Sequence, residues 1–182
     1  MTDLQKKQLE MLRAVDKACE QLSLRYYLVC GSALGAVKYK GFIPWDDDLD
    51  IGMLRPAYEI FIENAQRLLP DNYFLQNYRT DPTFPQIFSK VRDSSTTFIE
   101  KSSAKLPINH GVYICNHGNW QGKLEYAPRE QYGDGVWADF EGLRVRIPAQ
   151  YDAYLTQKYG DWRADLPQEQ QVGHHYAEVI DL

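Results

Sequence analysis

Apolar and polar positions recur with two different periods along the chain, and each change of period marks a helix or a strand. Near the N-terminus the apolar residues fall close to helical spacing, following Thr2 or Asp3, either of which can cap a helix. These apolar positions are Leu4, Met11, Leu12, Val15, Ala18, Cys19 and Leu22. The opposite face carries Lys6, Lys7, Glu10, Arg13 and Glu20, and we expect it to be solvated.

The same spacing predicts two further helices. One starts at Arg55-Pro56, because proline is favoured in the first helical turn, and its apolar positions continue to Leu69. The other runs from Ala149 to Tyr159 and ends at Gly160.

Shorter apolar or alternating runs predict strands. A hairpin is predicted around Glu141-Gly142, and Thr96–Glu100 is predicted to be the hairpin partner of Ile87–Asp93. The other predicted strands are Tyr26–Cys30, Tyr73–Leu75 and Gly111–Cys115.

One segment, residues 31–53, combines two chemistries and reads GSALGAVKYKGFIPWDDDLDIGM. Gly31-Ser32 forms a small-residue turn after a predicted strand and opens a short helix-like piece from Ala33 to Tyr39. A loop through Trp45 then leads to four carboxylates, which belong to Asp46, Asp47, Asp48 and Asp50. Like charges this close repel one another, and Mg²⁺ or Mn²⁺ is the ion that would compensate them, since both prefer oxygen ligands.

Alternation along a strand would give this segment a metal site. If residues 48–51 are extended, Asp48 and Asp50 share one face, while Leu49 and Ile51 point into the core. The backbone N–H groups at Gly31 would form an anion-binding corner for a phosphate. The apolar residues between the acids argue against a freely solvated acidic run.

Other known motifs do not fit the segment. An EF-hand that started at Asp46 would have Ile51 where glycine is required and Ala57 where glutamate is required. The glycine spacing also fits neither a Walker A loop nor a dinucleotide-binding fingerprint.

Length and composition bound the class of protein. The chain has 182 residues, which predicts one domain, and its net charge of −5 argues against a protein that grips nucleic acid. The three cysteines fit no zinc or disulfide pattern, which favours a reducing compartment. The N-terminus lacks a signal-peptide core, and no apolar run approaches the ~20 residues of a transmembrane helix. We therefore expect no transmembrane segment and a cytoplasmic protein, whose acceptor could still be membrane-linked.

Residues 31–53 resemble the signature of the LicD family, which includes bacterial phosphocholine transferases and the fukutin-related proteins. Residues 90–100 resemble a second block of that family, and residues 110–114 resemble the start of a third. Three C-terminal pieces of this chain resemble the C-terminal part of the family, namely Phe140–Gly142, Pro148 to Trp162 and His174-His175. The resemblance implies an α+β, nucleotidyltransferase-like fold over residues 1–182, with a mixed β-sheet flanked by helices.

The resemblance also implies an activity. A divalent metal, Mg²⁺ or Mn²⁺, would assist transfer of a phosphorylated alcohol such as phosphocholine from a CDP-linked donor to a hydroxyl group. The donor would be CDP-choline or a CDP-alditol, CMP would be released, and the acceptor would be a cell-surface glycan of lipopolysaccharide, teichoic acid or capsule.

Roles for individual residues follow as hypotheses. Asp48 and Asp50 would ligate the metal, and Asp46 or Asp47 would orient the loop or assist. Gly31 and Ser32 would cradle the donor phosphate. Lys90 and Arg92 share a strand face and would either meet that phosphate or be plain surface charges. The remaining candidates for substrate contact are Lys38, Trp45, His174 and His175, and at most one histidine is expected to face the site.

The chain departs from the family pattern at one place. After the third block the pattern has an aspartate, the third carboxylate of the site, where this sequence has Cys115. The long helical insertion that usually follows is missing near residues 115–118, so the protein is a compact variant or has lost the segment. Two alternatives stay open, which are nucleotidyl transfer from a nucleoside triphosphate and a binding module that has lost catalysis.

Overall fold

The computed structural model describes residues 1–116 and 127–182, and a five-stranded mixed sheet forms its centre. The strands are β1 (Tyr27–Leu28), β2 (Asp50–Gly52), β3 (Tyr73–Gln76), β4 (Ser89–Asp93), β5 (Thr97–Glu100), β6 (Val112–Asn116), β7 (Val136–Phe140), β8 (Leu143–Ile147) and β9 (Ala177–Asp181). The sheet has the order β1-β2-β6-β4-β3, in which β2 and β6 are parallel and the other pairs are antiparallel. The predicted α+β class is confirmed.

Five α-helices surround the sheet in the described residues. They are α1 (Asp3–Gln21), α2 (Cys30–Lys38), α3 (Arg55–Asn64), α4 (Arg129–Tyr132) and α5 (Tyr151–Tyr159). The predicted start of α1 is confirmed, because Thr2 and Gln5 form a capping box. None of these helices is both long and apolar enough to cross a bilayer.

Helix α2 starts three residues earlier than the sequence predicted. It begins at Cys30, whose φ of 51° makes a sharp turn out of the extended Val29. The Cys30 N–H donates to the Tyr154 hydroxyl group of α5 at 3.1 Å, which helps to hold this turn. Gly31 and Ser32 therefore lie in the first turn of a helix rather than in a turn before it.

The pairing predicted for Thr96–Glu100 is wrong. Strand β4 is central, with β3 on one side and β6 on the other, so it has no free edge for β5. Strand β5 pairs instead with β9, in a tail that the sequence pattern did not predict to be a strand. The β7–β8 hairpin is confirmed, and its turn residues Glu141 and Gly142 both have positive φ, as a tight hairpin turn requires.

Lys7 lies on the face of α1 that the sequence pattern assigned to solvent, but its ammonium is 3.3 Å from the buried Asp93 carboxylate. Asp93 also accepts hydrogen bonds from Asn72 and Ser95. This cluster joins the N-terminal helix α1 to strand β4.

We expect Asp93→Ala to destabilise the protein by about 3 kcal/mol at pH 7, as for other buried ion pairs that lose one partner. Burial alone would raise the pKa of Asp93, but hydrogen bonds from Ser95, Asn72 and Lys7 lower it below the usual value. The stabilisation is therefore present above the unfolded-state pKa, near 4, and is lost as the pH falls through the lower folded-state pKa. Urea unfolding at pH 7 and at pH 3 measures this loss. Glu10→Ala, which removes the exposed second partner of Lys7, is the control and should change little.

Candidate active site

A cleft of 1140 Å³ opens where the start of α2, the acidic loop, strands β4 and β6 and the C-terminal tail meet. The loop is residues 43–49, and it contributes Trp45, Asp46 and Asp48 to the cleft wall. Gly31 from α2, Asp50 from β2 and Cys115 from β6 line the same space. The structure thus brings the small-residue segment at Gly31 and the acidic residues of the same segment to one cleft.

Asp48 lies just before β2 rather than within it, because the ladder to β6 begins at Asp50. The predicted alternation nevertheless holds, since Leu49 and Ile51 are fully buried and both aspartates line the cleft. The Asp50 N–H donates to the Ser32 hydroxyl group at 2.8 Å, which ties the strand to the first turn of α2. Ser32 is therefore a structural link, and the phosphate contact predicted for it stays a prediction.

The neighbouring aspartates of the acidic loop raise one another's pKa values. Burial and the charges of Asp50 and Asp47 raise the pKa of Asp46 to about 6. Burial and the charges of Asp50 and Asp46 hold the pKa of Asp48 well above its usual value. Each of these carboxylates therefore makes ionisation of the others less favourable, and a bound cation would relieve that repulsion.

This donor set fits a hard divalent cation that also takes ligands from a substrate. Within residues 1–116 and 127–182, no group of three or more histidine, cysteine, aspartate or glutamate side chains could hold a metal ion by itself. Mg²⁺ is commonly held by one or two carboxylates plus substrate phosphates and water, so a complete protein cage is not needed. Asp48 and Asp50 would hold such an ion.

Gly31 lets a carboxylate approach the start of α2 closely. A Cβ atom at this position would lie 2.7 Å from Asp46 Oδ2, so any other residue here would push that carboxylate away. The first N–H groups of a helix have no acceptors within the helix, and its dipole places positive charge there. The cleft therefore combines a helix N-terminus, whose charge would suit an anion, with an acidic loop, whose charge would suit a cation.

Asp47 points toward the C-terminal tail and not toward the other acids. The His175 Nδ1–H donates to Asp47 Oδ1 at 2.9 Å, and the backbone N–H groups of His174 and His175 donate to the same carboxylate at 3.3 and 3.1 Å. Gly173 permits this approach, since a Cβ atom there would lie 2.6 Å from Asp47 Oδ2. Hydrogen bonding to His175 outweighs burial and lowers the pKa of Asp47.

His175 links Asp47 to the candidate metal ligands. Its Nε2 atom is 3.7 Å from Asp48 Oδ2, and its ring meets the Tyr113 ring edge-on. Burial would lower the pKa of His175, but the bond to Asp47 raises it. Both His174 and His175 line the cleft, so the expectation that at most one would face the site is wrong. The two residues lie outside any regular element, where alternation does not apply.

Lys90 and Arg92 line the cleft but are buried, so the surface-charge alternative is wrong. The Lys90 ammonium donates to Glu100 at 3.1 Å and lies 3.4 Å from the centre of the Tyr113 ring. Arg92 donates to Gln76 at 2.6 Å and to the Gly111 carbonyl group at 2.8 Å. Their predicted contact with a donor phosphate stays a prediction.

The remaining predicted contacts also line the cleft. The Lys38 ammonium donates to the carbonyl groups of Arg163 and Ala164 and to Asp165 Oδ1, so it holds the loop after α5 in place. Trp45 meets Tyr39 edge-on with 6.3 Å between ring centres. Cys115 is buried and lies opposite Asp50 on β2 and Lys90 on β4.

Sequence reasoning missed four residues of this site. Gln5 and Gln8 interrupt the apolar face of α1, and that interruption is the signal that could have revealed them. Glu100 and Tyr113 form a hydrogen bond of 2.6 Å beside Lys90, and nothing in the local pattern marks them as a pair.

Comparisons with known proteins show which family the sequence resembles. The profile of the family described as "LicD/FKTN/FKRP, nucleotidyltransferase domain" matches residues 23–150. The lipopolysaccharide cholinephosphotransferase LicD of Haemophilus influenzae is 25% identical over 262 aligned positions, which include 98% of each protein. The ribitol-5-phosphate transferase FKTN of mouse is 25% identical and that of human 22% identical, over 95% of this chain and 40% of each relative.

The alignment to the bacterial relative is longer than this chain of 182 residues, so that relative has residues without a counterpart here. The sequence predicted such a missing segment near residues 115–118. Residues 117–126 lie outside the described residues, so its location stays a prediction.

Proposed function

The chain belongs to the LicD/FKTN/FKRP nucleotidyltransferase-domain family, and from that premise we propose that it is a metal-dependent phosphotransferase. It transfers a phosphorylated alcohol from a CDP-linked donor to a hydroxyl group of a cell-surface glycan and releases CMP. One observation carries this proposal, namely that Asp48 and Asp50 lie in the same cleft as the first turn of α2. Two of its relatives are a cholinephosphotransferase and a ribitol-5-phosphate transferase, and both support the same reaction class.

Each part of the site has a distinct task in this reaction. Asp48 and Asp50 would hold a divalent ion, which would supply positive charge to the donor pyrophosphate and make the acceptor hydroxyl group more acidic. The N-terminus of α2 at Gly31 holds donor phosphate oxygens through its N–H groups. Asp47 and His175 fix the acidic loop against the tail. The acceptor oxygen attacks the distal phosphorus in line, and the bond between that phosphorus and the bridging oxygen breaks. CMP leaves with the bridging oxygen, and the proton of the acceptor hydroxyl group is released to solvent.

A thermal-shift series tests the donor class. CDP-choline, a CDP-alditol, CDP alone and CTP are each added with Mn²⁺, with Mg²⁺ and with a chelator, because a ligand that binds only the folded state raises the apparent stability. We expect stabilisation by a CDP-linked alcohol that depends on the divalent cation. Product analysis then separates the reactions, since phosphoalcohol transfer releases CMP and nucleotidyl transfer releases pyrophosphate. If only CTP stabilises the protein and pyrophosphate is the product, the reaction is nucleotidyl transfer from a nucleoside triphosphate, and this proposal is wrong.

The alternative of a binding module without catalysis depends on Cys115, which stands where the family pattern has an aspartate. Burial holds the pKa of its thiol well above the usual value, so the thiol does not supply the negative charge of that aspartate. Donor binding without CMP release in the wild-type protein would favour it.

Cys115→Asp would place a third carboxylate opposite Asp50, and we expect the Mn²⁺ dissociation constant to fall by about tenfold, because cation affinity rises with ligand charge. Isothermal titration of Mn²⁺ measures this change. Cys115→Asn, of the same shape but uncharged, is the matched control. Equal Mn²⁺ affinities for both variants would show that position 115 does not reach the ion.

A further inference from the structure

Two buried glutamines on α1 reach across to the acidic loop. The Gln5 Nε2 atom donates to the carbonyl groups of Ile43 at 3.2 Å and Asp46 at 2.9 Å. The Gln8 Nε2 atom donates to the carbonyl group of Asp47 at 2.9 Å. Gln5 and Gln8 are only 1% and 2% exposed, so these bonds are shielded from water. The two glutamines thereby hold the loop at three of its carbonyl groups.

The burial of these amides needs a reason beyond helix stability. Gln8 Oε1 is buried and has no hydrogen-bond partner in the part of the chain that the structure describes. Burying an unpaired amide oxygen is unfavourable, so an apolar side chain of similar size would be expected at position 8 if packing alone mattered. The bond that position 8 does form goes to the residue between Asp46 and Asp48.

The chemical type of the hydrogen-bond donor on α1 also matters. An amide is uncharged, so it can bind the loop without neutralising the carboxylates. A lysine or arginine at the same place would satisfy these carbonyl groups too, but its charge would compete with a divalent cation for Asp48. The glutamines bind the carbonyl groups of this loop, and Asp46 and Asp48 line the cleft.

We propose that Gln5 and Gln8 are positioning residues, which fix the backbone of the acidic loop so that Asp48 and Asp50 can bind one cation together. What the loop does in catalysis rests on the proposed function, whereas the positioning itself does not. Gln8 has the more direct effect, because its acceptor belongs to the peptide group that leads into Asp48. Gln5 also closes the capping box with Thr2, so its replacement would disturb the helix start as well.

Gln8→Met tests the proposal, because methionine keeps the volume and loses the donor. Gln21→Met, at an exposed position near the end of the same helix, is the matched control. We expect hydrogen–deuterium exchange of the amides in residues 43–48 to become faster by about tenfold in Gln8→Met, as for loss of one buried hydrogen bond. The control should exchange like the wild type. Exchange that stays within about twofold of the wild type in Gln8→Met would overturn the proposal.

Gln8→Glu separates hydrogen bonding from shape. Glutamate has the size of glutamine and cannot donate when it is ionised, so under conditions where it is ionised we expect loop exchange at least as fast as in Gln8→Met. Wild-type exchange in both Gln8→Met and Gln8→Glu would mean that shape alone matters and would overturn the proposal. If both variants fold, as their far-ultraviolet circular dichroism would show, their Mn²⁺ dissociation constants should rise by about tenfold.

The two hypotheses fail in different ways. If the wild-type protein binds neither Mn²⁺ nor a CDP-linked donor, the proposed function fails, and the exchange rates still decide whether Gln8 holds the loop. If the wild type binds both and Gln8→Met binds them equally well with an unchanged loop, only the positioning role fails.

Discussion

Asp48→Asn and Asp50→Asn are each expected to lower turnover by about a thousandfold or more while the protein stays folded. Both side chains line the cleft at the start of α2, and asparagine keeps their shape but removes the charge that would hold a divalent cation. The loss should be in kcat as well as in metal affinity, because a charge that stabilises the leaving phosphate acts in the transition state. Single-turnover release of CMP from a CDP-linked donor measures it.

Asp139→Asn is the matched control for these variants. Asp139 lies on β7, is exposed, pairs with Arg144 at 3.0 Å and does not line the cleft. We expect wild-type turnover in this variant. Wild-type turnover in both Asp48→Asn and Asp50→Asn would remove the metal assignment.

Asp48→Asn is also expected to change the stability of the metal-free protein, and this change is an increase although turnover falls. The pKa of Asp48 is raised in the folded state, first by burial and then by Asp50 and Asp46. A raised carboxylate pKa means that ionisation destabilises the folded state as the pH rises above the unfolded value, near 4. At pH 7.5 with a chelator, Asp48→Asn should therefore melt at a higher temperature than the wild type. Added Mn²⁺ should stabilise the wild type far more than the variant.

The elements that the sequence predicted correctly are those whose signals lie within a few residues. Helix α1 has a capping residue and a regular apolar face, and the β7–β8 hairpin has turn residues suited to positive φ. The acidic segment was also readable, because Leu49 and Ile51 alternate with Asp48 and Asp50. Local spacing was enough to place these carboxylates together.

The parts that were missed depend on contacts between distant segments. Strand β5 could not be paired correctly, since its partner β9 lies about 80 residues away and presents few buried side chains. Gln5 and Gln8 were missed because a buried amide on a helix has meaning only once its acceptor is known. The mixed order of the central sheet likewise follows from packing and not from any local period.

The contact between Asp47 and His175 joins residues that are 128 positions apart, and its removal carries the second large expected effect. We expect His175→Ala to lower kcat by about a hundredfold, because the Asp47 carboxylate loses its partner and the loop that carries Asp48 can shift. The short Nδ1 contact of 2.9 Å goes to Asp47, whereas Nε2 is 3.7 Å from Asp48, beyond a hydrogen bond. Holding Asp47 is therefore the main task of the ring.

Two conservative variants separate that task from a direct role in the chemistry. Asparagine at position 175 can place an N–H group near the Nδ1 position, and glutamine can place one near Nε2. We expect His175→Asn to recover most of the activity and His175→Gln to recover little. The reverse order, with glutamine active and asparagine inactive, would mean that Nε2 acts on Asp48 or on the substrate.

A double-mutant cycle completes the argument. If Asp47 and His175 act as one unit, the Asp47→Ala/His175→Ala double variant should be no slower than the slower single variant, because each change already breaks the same contact. Additive losses would show two independent roles. Gly173→Val tests the same contact without replacing Asp47 or His175, since its Cβ atom would lie 2.6 Å from Asp47 Oδ2 and displace that carboxylate. It should lower kcat in a similar way, because the tail can then no longer lie against the acidic loop.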